Sequence, residues 1–250
     1  NFVQSKPSAC QGDVISFTDK SLPLDGITTQ WFWNMGDGTT FNIPNFTYTH
    51  ADTLEYNIRF YIVNSHGCNS DTINRPFQVY PNPTVYAGED KMILQGARVI
   101  FAPVTTGVEL QYLWTPNLYL VNNNNTIKNA VANPQESITY TLIVTARGGC
   151  QRRDDIYIKV LKPPVIPNTF TPNNDGINDT WLISYLNDYP DCQVEVFTRT
   201  GQLVFKSVKG YRIPWDGMKN GKPLPVDTYY YIIEPGFGRD PITGYITLMK

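Results

Sequence analysis

The chain has 250 residues, and 20 Lys+Arg against 22 Asp+Glu leave a formal net charge of -2, so no field is present to draw nucleic acid or an anionic membrane and neither is expected as a partner. Charged residues make up 17%, below the roughly 25% of ordinary globular domains, while 41% is hydrophobic and 13% aromatic, a balance that suits a secreted β protein whose polarity comes from Asn, Thr, Ser and Gln. The 18 Gly and 19 Pro fall between apolar runs without a triplet period, which excludes collagen and plain disorder.

No stretch approaches the roughly 18 uninterrupted apolar residues of a membrane helix. The opening Asn1-Phe2-Val3-Gln4-Ser5-Lys6-Pro7 has no apolar signal core, so an export signal is expected further upstream in a longer precursor. Four cysteines without a C-x-x-C pair suit an oxidising compartment and leave no zinc-ribbon or thioredoxin motif.

Taken along the chain, almost every apolar run is short, alternates with period two and ends at Gly, Pro or Asn. Trp31, Trp33 and Met35 share one face of a strand that turns through Gly36-Asp37-Gly38. Tyr56, Ile58, Phe60 and Ile62 share the buried face of the next clear strand, and Tyr140, Leu142 and Val144 repeat it in phase. Gly67-Cys68 then Asp71 follows the first copy, Gly149-Cys150 then Asp154 the second. The offset of 82 residues from Cys68 to Cys150 is close to the size of an immunoglobulin-like sandwich. Trp33 and Trp114, each upstream of a tyrosine strand, are expected to point inward from the opposite sheet.

Tyr80-Pro81-Asn82-Pro83 and Leu161-Lys162-Pro163-Pro164 are expected junctions, since prolines cannot donate to a ladder and hold the chain extended. Leu118 to Asn125, with four successive asparagines, reads as a loop more readily than a helical turn. After the second junction come strands near Gln193 to Phe197, Leu203 to Phe205, Tyr229 to Ile233 and Tyr245 to Met249. The expected fold class is all-β: three tandem immunoglobulin-like β-sandwich domains at 1–80, 81–162 and 163–250, arranged as an elongated rod.

The run Trp31-Phe32-Trp33-Asn34-Met35-Gly36-Asp37-Gly38, with Pro44, Phe46, Thr47, Tyr48 and the strand from Tyr56, resembles polycystic kidney disease (PKD) domains over roughly residues 8 to 80. Asn34 and Met35 depart from that family's Asp and Phe. The resemblance implies a non-catalytic extracellular spacer. Ala87-Gly88-Glu89-Asp90, Tyr112-Leu113-Trp114-Thr115-Pro116, Asn133-Pro134 and Thr139-Tyr140-Thr141-Leu142 resemble the Ig-like module that often follows PKD domains in Bacteroidota surface proteins.

The last third is dense in motif residues: Pro167, Asn168, Phe170, Pro172, Asn173, Asp175, Gly176, Asn178 and Asp179; Phe197, Arg199 and Gly201; Trp215-Asp216-Gly217; Tyr229; and Gly244-Tyr245 leading to Lys250. This segment resembles the gliding motility-associated C-terminal domain, the type B sorting signal of the type IX secretion system. The resemblance implies export across the outer membrane, with the translocon and its shuttle or barrel components as partners and the cell surface as destination. Thr198 and Thr200 replace the family's Asn and Trp. The hairpin is expected to survive on Gly201, without any translocon contact made by that Trp. A folded sorting signal needs a docking surface, and Tyr245 to Met249 is weighed as an exposed edge strand against a paired, core-facing one.

Asp175, Asn178 and Asp179 are weak calcium candidates, for the loop lacks an EF-hand's spacing and its terminal Glu, and Asx-turn capping is the default. In an immunoglobulin-type sandwich Cys10 and Cys68 both fall at the end where the chain enters, so a Cys10 to Cys68 disulfide is expected. Cys150 and Cys192 are expected to be unpaired unless the rod folds back, since a bond between them would span most of a domain. His50 and His66, the only histidines, sit in no nucleophile or metal motif. No catalytic residue, metal or cofactor is expected. The expected function is the non-enzymatic stalk and sorting region of a gliding adhesin, a monomer. The alternative is a glycan-binding accessory region whose exposed tyrosines stack on polysaccharide.

Overall fold

Period-two alternation in the sequence becomes strand almost throughout: among residues 1–249, which the computed structural model describes, the only helical pieces are 3₁₀ turns at Val121–Asn123, Arg147–Gly149 and Leu186–Asp188. Lys250, the end of the Gly244-Tyr245 motif, lies outside the described residues. The strands in the N-terminal part are β1 (Phe2–Gln4), β2 (Ser8–Cys10), β3 (Ile15–Asp19), β4 (Thr28–Asn34), β5 (Thr40–Phe41), β6 (Asn45–Tyr48), β7 (Glu55–Asn64) and β8 (Ile73–Tyr80). The middle part holds β9 (Thr84–Tyr86), β10 (Lys91–Leu94), β11 (Val99–Ile100), β12 (Val104–Thr106), β13 (Gln111–Thr115), β14 (Val131–Ala132), β15 (Ile138–Thr145) and β16 (Gln151–Leu161). Then come β17 (Thr169–Phe170), β18 (Gln193–Phe197), β19 (Leu203–Lys206), β20 (Met218–Lys219), β21 (Lys222–Pro223), β22 (Asp227–Glu234) and β23 (Ile242–Leu248). The chain divides into two compact units, one of residues 1–89, 100–132 and 139–156, the other of residues 90–99, 133–138 and 157–249.

In the first unit, a three-stranded sheet β1-β3-β6 faces a five-stranded sheet β2-β8-β7-β4-β5. Both sheets turn aromatic side chains inward. Phe2 meets Trp33 edge-on at 5.1 Å, Phe17 stacks on Phe46 at 5.3 Å, and Trp33 stacks on Phe60 at 3.9 Å. Such pairs add about 0.5–1.5 kcal/mol each beyond the area they bury. Tyr56, Ile58, Phe60 and Ile62 are all buried, as their alternation requires. Trp33 is buried too, but it is not supplied by the opposite sheet: β4 lies beside β7, with Trp33 directly across from Phe60. The repeat follows the same rule, since Trp114 on β13 sits across from Leu142 on β15. Around it Phe101, Trp114, Tyr140, Leu142 and Val144 are buried, with Phe101 4.4 Å from Trp114 and 5.1 Å from Tyr140. Within the asparagine run Asn122 and Asn123 lie in a 3₁₀ turn at Val121–Asn123, and Asn124 and Asn125 continue as loop. Asn122 and Asn123 take φ of 59° and 51°, a region asparagine tolerates better than most residues.

The disulfide joins Cys10 to Cys150, with Cα atoms 5.5 Å apart, and Cys68 is free and exposed. The expected Cys10 to Cys68 bond is therefore wrong, and so is an unpaired Cys150. The reason lies in the parallel pairing of β2 with β8, which puts Cys10 opposite Tyr80. Cys68 precedes the other end of β8, roughly 20 Å or more away at about 3.3 Å per residue, far beyond the ~7 Å a disulfide tolerates. The 3₁₀ turn at Arg147–Gly149 delivers Cys150 to the Cys10 end instead, and it needs glycine to do so. Gly148 has φ of +79°, and a Cβ there would lie 2.1 Å from the Tyr80 ring. Cys192 is unpaired and fully buried, and burial pushes its thiol pKa up.

In the second unit, β10 runs parallel to Ile158–Leu161 at the end of β16. The main sheet has the order β17-β23-β22-β18-β19. Val194, Val196, Tyr229, Ile233, Ile246 and Leu248 point inward and are buried against Trp181, Tyr189, Tyr211 and Trp215. The layer that carries these last aromatics is mostly irregular, held by single bridges Val165–Ser184 and Trp181–Trp215 and by the β20–β21 hairpin.

Candidate functional site

The motif residues of the last third fall into an inner set that fixes shape and an outer set that presents a surface. Pro167 accepts the Trp181 indole N–H at 2.9 Å, and Asn168 accepts the Thr247 N–H at 2.9 Å. Phe170 is buried with its ring 5.3 Å from Trp215. The Trp215 indole donates to Met218 O at 3.2 Å, and Asp216 caps the Met218 N–H at 3.0 Å. Gly217, at φ of +77°, fits where a Cβ would lie 2.8 Å from Leu248 and 3.1 Å from Pro172. Tyr229 is buried and donates to Pro225 O at 2.9 Å. Phe170, Trp215, Gly217 and Tyr229 are buried, while Pro167, Asn168 and Asp216 lie at the surface and tie neighbouring backbone and indole N–H groups to it, so the contacts of this set are structural.

Asp175, Asn178 and Asp179 lie together in the exposed loop after β17. Asp179 accepts the N–H groups of Asn173, Asn174 and Gly176 at 3.0, 2.7 and 2.8 Å. Asp175 accepts from Ile177 N–H at 2.7 Å and from the Asn173 side-chain amide at 3.0 Å. All four carboxylate oxygens thus serve the loop's own donors. Asn178, at φ of 55°, contributes its carbonyl to Thr171 N–H at 2.9 Å. This is Asx-turn architecture. Among the described residues no three His, Cys, Asp or Glu side chains come together as a metal site requires.

The Thr198-Gln202 hairpin forms without the family's Asn and Trp. Gly201, at φ of +83°, donates to Thr198 O at 3.0 Å, and the hydroxyls of Thr198 and Thr200 meet at 3.0 Å. Phe197, Arg199 and Gly201 rim a shallow depression floored by Tyr230, Tyr231 and Gly244. On the outer face of the sheet Tyr245 lies across from Tyr230, Tyr230 from Phe197, and Phe197 from Leu203. One apolar row therefore crosses four strands. Tyr245 is 56% exposed, Tyr230 49% and Leu203 41%, although exposed tyrosine-rich faces are not needed to close this core. Over Tyr245–Met249 β23 is paired and core-facing, and β17, not β23, stands at the edge of the sheet. Ile246 and Leu248 face the core, and β17 pairs with Thr247–Leu248 alone.

Sequence reasoning passed over Trp181 and Tyr211, which the fold places at the centre. The Tyr211 hydroxyl donates to Trp181 O at 2.6 Å and accepts the Trp215 N–H at 3.2 Å. Burial pushes its phenol pKa upward. The alternation of Trp181 with Ile183 was the available signal. In the N-terminal part Asp37 of the Gly-Asp-Gly turn accepts Thr39 N–H at 3.0 Å and Tyr48 O–H at 2.8 Å. Burial opposes its ionisation, but these hydrogen bonds outweigh burial and its pKa is lowered. His50 is buried, Nε2 to Met35 O at 3.0 Å, and His66 stands exposed 3.6 Å from Asp25. No helix of the described residues is long and apolar enough to cross a membrane, which leaves open spans made by strands.

Comparison with solved structures finds remote likenesses. The fibronectin(III)-like modules of Clostridium thermocellum CbhA are 15% identical with a TM-score of 0.36, over 65% of this chain and 95% of that one. Extracellular domains 3–5 of Drosophila OTK are 13% identical with a TM-score of 0.33, over 96% and 92%. Human CDH23 EC21-23 is 9% identical with a TM-score of 0.32, over 89% and 87%. No curated protein matches the sequence. Family models are specific where these are not: that of the CHU_C type IX secretion signal domain matches residues 165–248, and that of the PKD domain matches residues 2–79. The chain thus carries a type IX secretion signal domain, which addresses it to that secretion system and to the cell exterior or surface, together with a PKD domain.

Proposed function

We propose that this chain is the stalk and sorting portion of a surface adhesin of the gliding type, exported through the outer membrane by the type IX machinery. The observation that carries the reading is the family match over residues 165–248, the same stretch that builds the core of Trp181, Tyr211, Trp215 and Tyr229. In this reading residues 163–250 are the sorting domain, and residues 1–80 and 81–162 are immunoglobulin-like spacers without catalytic groups. The motif residues from Pro167 to Tyr245 act by shaping the domain, and recognition falls to its surface. Low charge and inward-facing aromatics suit modules that must stay folded outside the cell.

The test fuses the full 250-residue chain behind a secreted reporter in a host that has this secretion system. Protease-accessible reporter on intact cells is expected, and its retention in the periplasm when the translocon is deleted. Periplasmic retention in the competent host would refute the reading. The adhesin part is tested separately, by loss of surface spreading when the gene is deleted.

A further inference from the structure

Cys10 and Cys150 stand close to the two places where the chain passes into and out of the first unit. Within that unit residues 1–9 precede the bond and residues 151–156 follow it. Cys10 lies in the stretch matched by the PKD domain, residues 2–79, whereas Cys150 comes after β15 and leads directly into β16. The bond thus brackets two modules instead of stapling one. Polar contacts seat it firmly. Gln11 N–H donates to Tyr80 O at 2.8 Å and the Asn82 side-chain amide to Gln11 O at 2.8 Å. One Asp13 carboxylate oxygen accepts the Cys10 N–H at 3.2 Å and the Lys6 ammonium at 2.7 Å.

We infer that the Cys10–Cys150 bond is a mechanical bypass. Tension that enters the chain before Cys10 and leaves it after Cys150 crosses the two sulfurs, and residues 11–149 bear none of it. What remains in the path after the bond is β16, 11 residues of strand. A strand already rises about 3.3 Å per residue against a limit of about 3.6 Å, so pulling lengthens it little. It serves as a tie. With the bond cut, the pull passes instead to Gln11 and through every strand from β3 to β15. The sequence separation of 140 then allows a further lengthening of about 460–500 Å. The use of such a bypass rests on the stalk reading above, in which the chain spans between the cell surface and an outer attachment. The bypass itself follows from the position of the bond.

The test stretches the full 250-residue chain between tags on its two ends in a single-molecule force measurement, without and with dithiothreitol. Fully extended, the parent is expected to be about 460–500 Å shorter without reductant than with it. At forces that open the second unit, the unreduced parent is expected to show no lengthening from residues 11–149. Cys10→Ser is expected to reach the long length in both conditions, and Cys68→Ser to keep the parent's two lengths. If Cys10→Ser does not fold, the parent with and without reductant decides, since the final length counts the covalent path and not the folded structure. Equal parental lengths in the two conditions overturn the inference. So does a parental gain on reduction of only about 190–210 Å that vanishes in Cys68→Ser, which would place the bond between Cys10 and Cys68. A reporter held in the periplasm removes the stalk reading and leaves these lengths unchanged, so the two failures are told apart.

Discussion

Tyr140 shows how single side chains tie this protein's stability to pH. Its ring is fully buried and its hydroxyl donates to Leu118 O at 2.7 Å, so burial pushes its pKa from the ordinary 10.0 up to about 12. An acid whose folded pKa is raised stabilises the fold while it is protonated in both states. That contribution is complete below pH 10 and is lost as the pH climbs from 10 to 12, when the unfolded phenol ionises and the folded one does not. Thermal midpoints are expected to fall steeply across that interval, and Tyr140→Phe is expected to flatten the fall. An unchanged pH profile in the variant would contradict this assignment.

Strands carry the next level of the account. β7 packs Phe60 against both Phe2 and Trp33, and Phe60→Ala is expected to cost about 3–5 kcal/mol by urea unfolding, the range for deleting a buried aromatic. That face was legible in the sequence because alternation over ten residues leaves only one set to bury. β18, β22 and β23 were legible for the same reason. Partner choice was not. Whether Trp33 stands beside Phe60 or across the core from it depends on which strands pair, and no local pattern records that. The cysteine bond failed at the same point: β2 aligning in parallel with β8 moved Cys10 to the end away from Cys68. Tyr211 sits in irregular backbone, where periodicity is silent, and the alternation of Trp181 with Ile183 spans only three residues, too short to mark a strand. The Asx loop was legible as a turn, since Asn, Asp and Gly there satisfy their own backbone.

At the scale of the molecule, the Cys10–Cys150 bond closes a sequence separation of 140 residues inside the first unit. Closing so long a loop restricts the unfolded chain strongly, so replacing both cysteines by serine is expected to cost about 2–5 kcal/mol. The second unit, which contains no disulfide among its described residues, is expected to keep its melting midpoint under reductant while the first unit's falls. The central claim is that export depends on a folded shape in residues 165–248. It is tested most directly by the surface fraction of a reporter fused to the full chain carrying Trp181→Ala and Trp215→Ala. Those changes leave every exposed residue in place but remove two fully buried indoles, at about 3–5 kcal/mol each. The account predicts that circular dichroism shows the second unit unfolded and that surface reporter disappears. Undiminished export of an unfolded segment would mean that the address is read as linear sequence, contrary to this account.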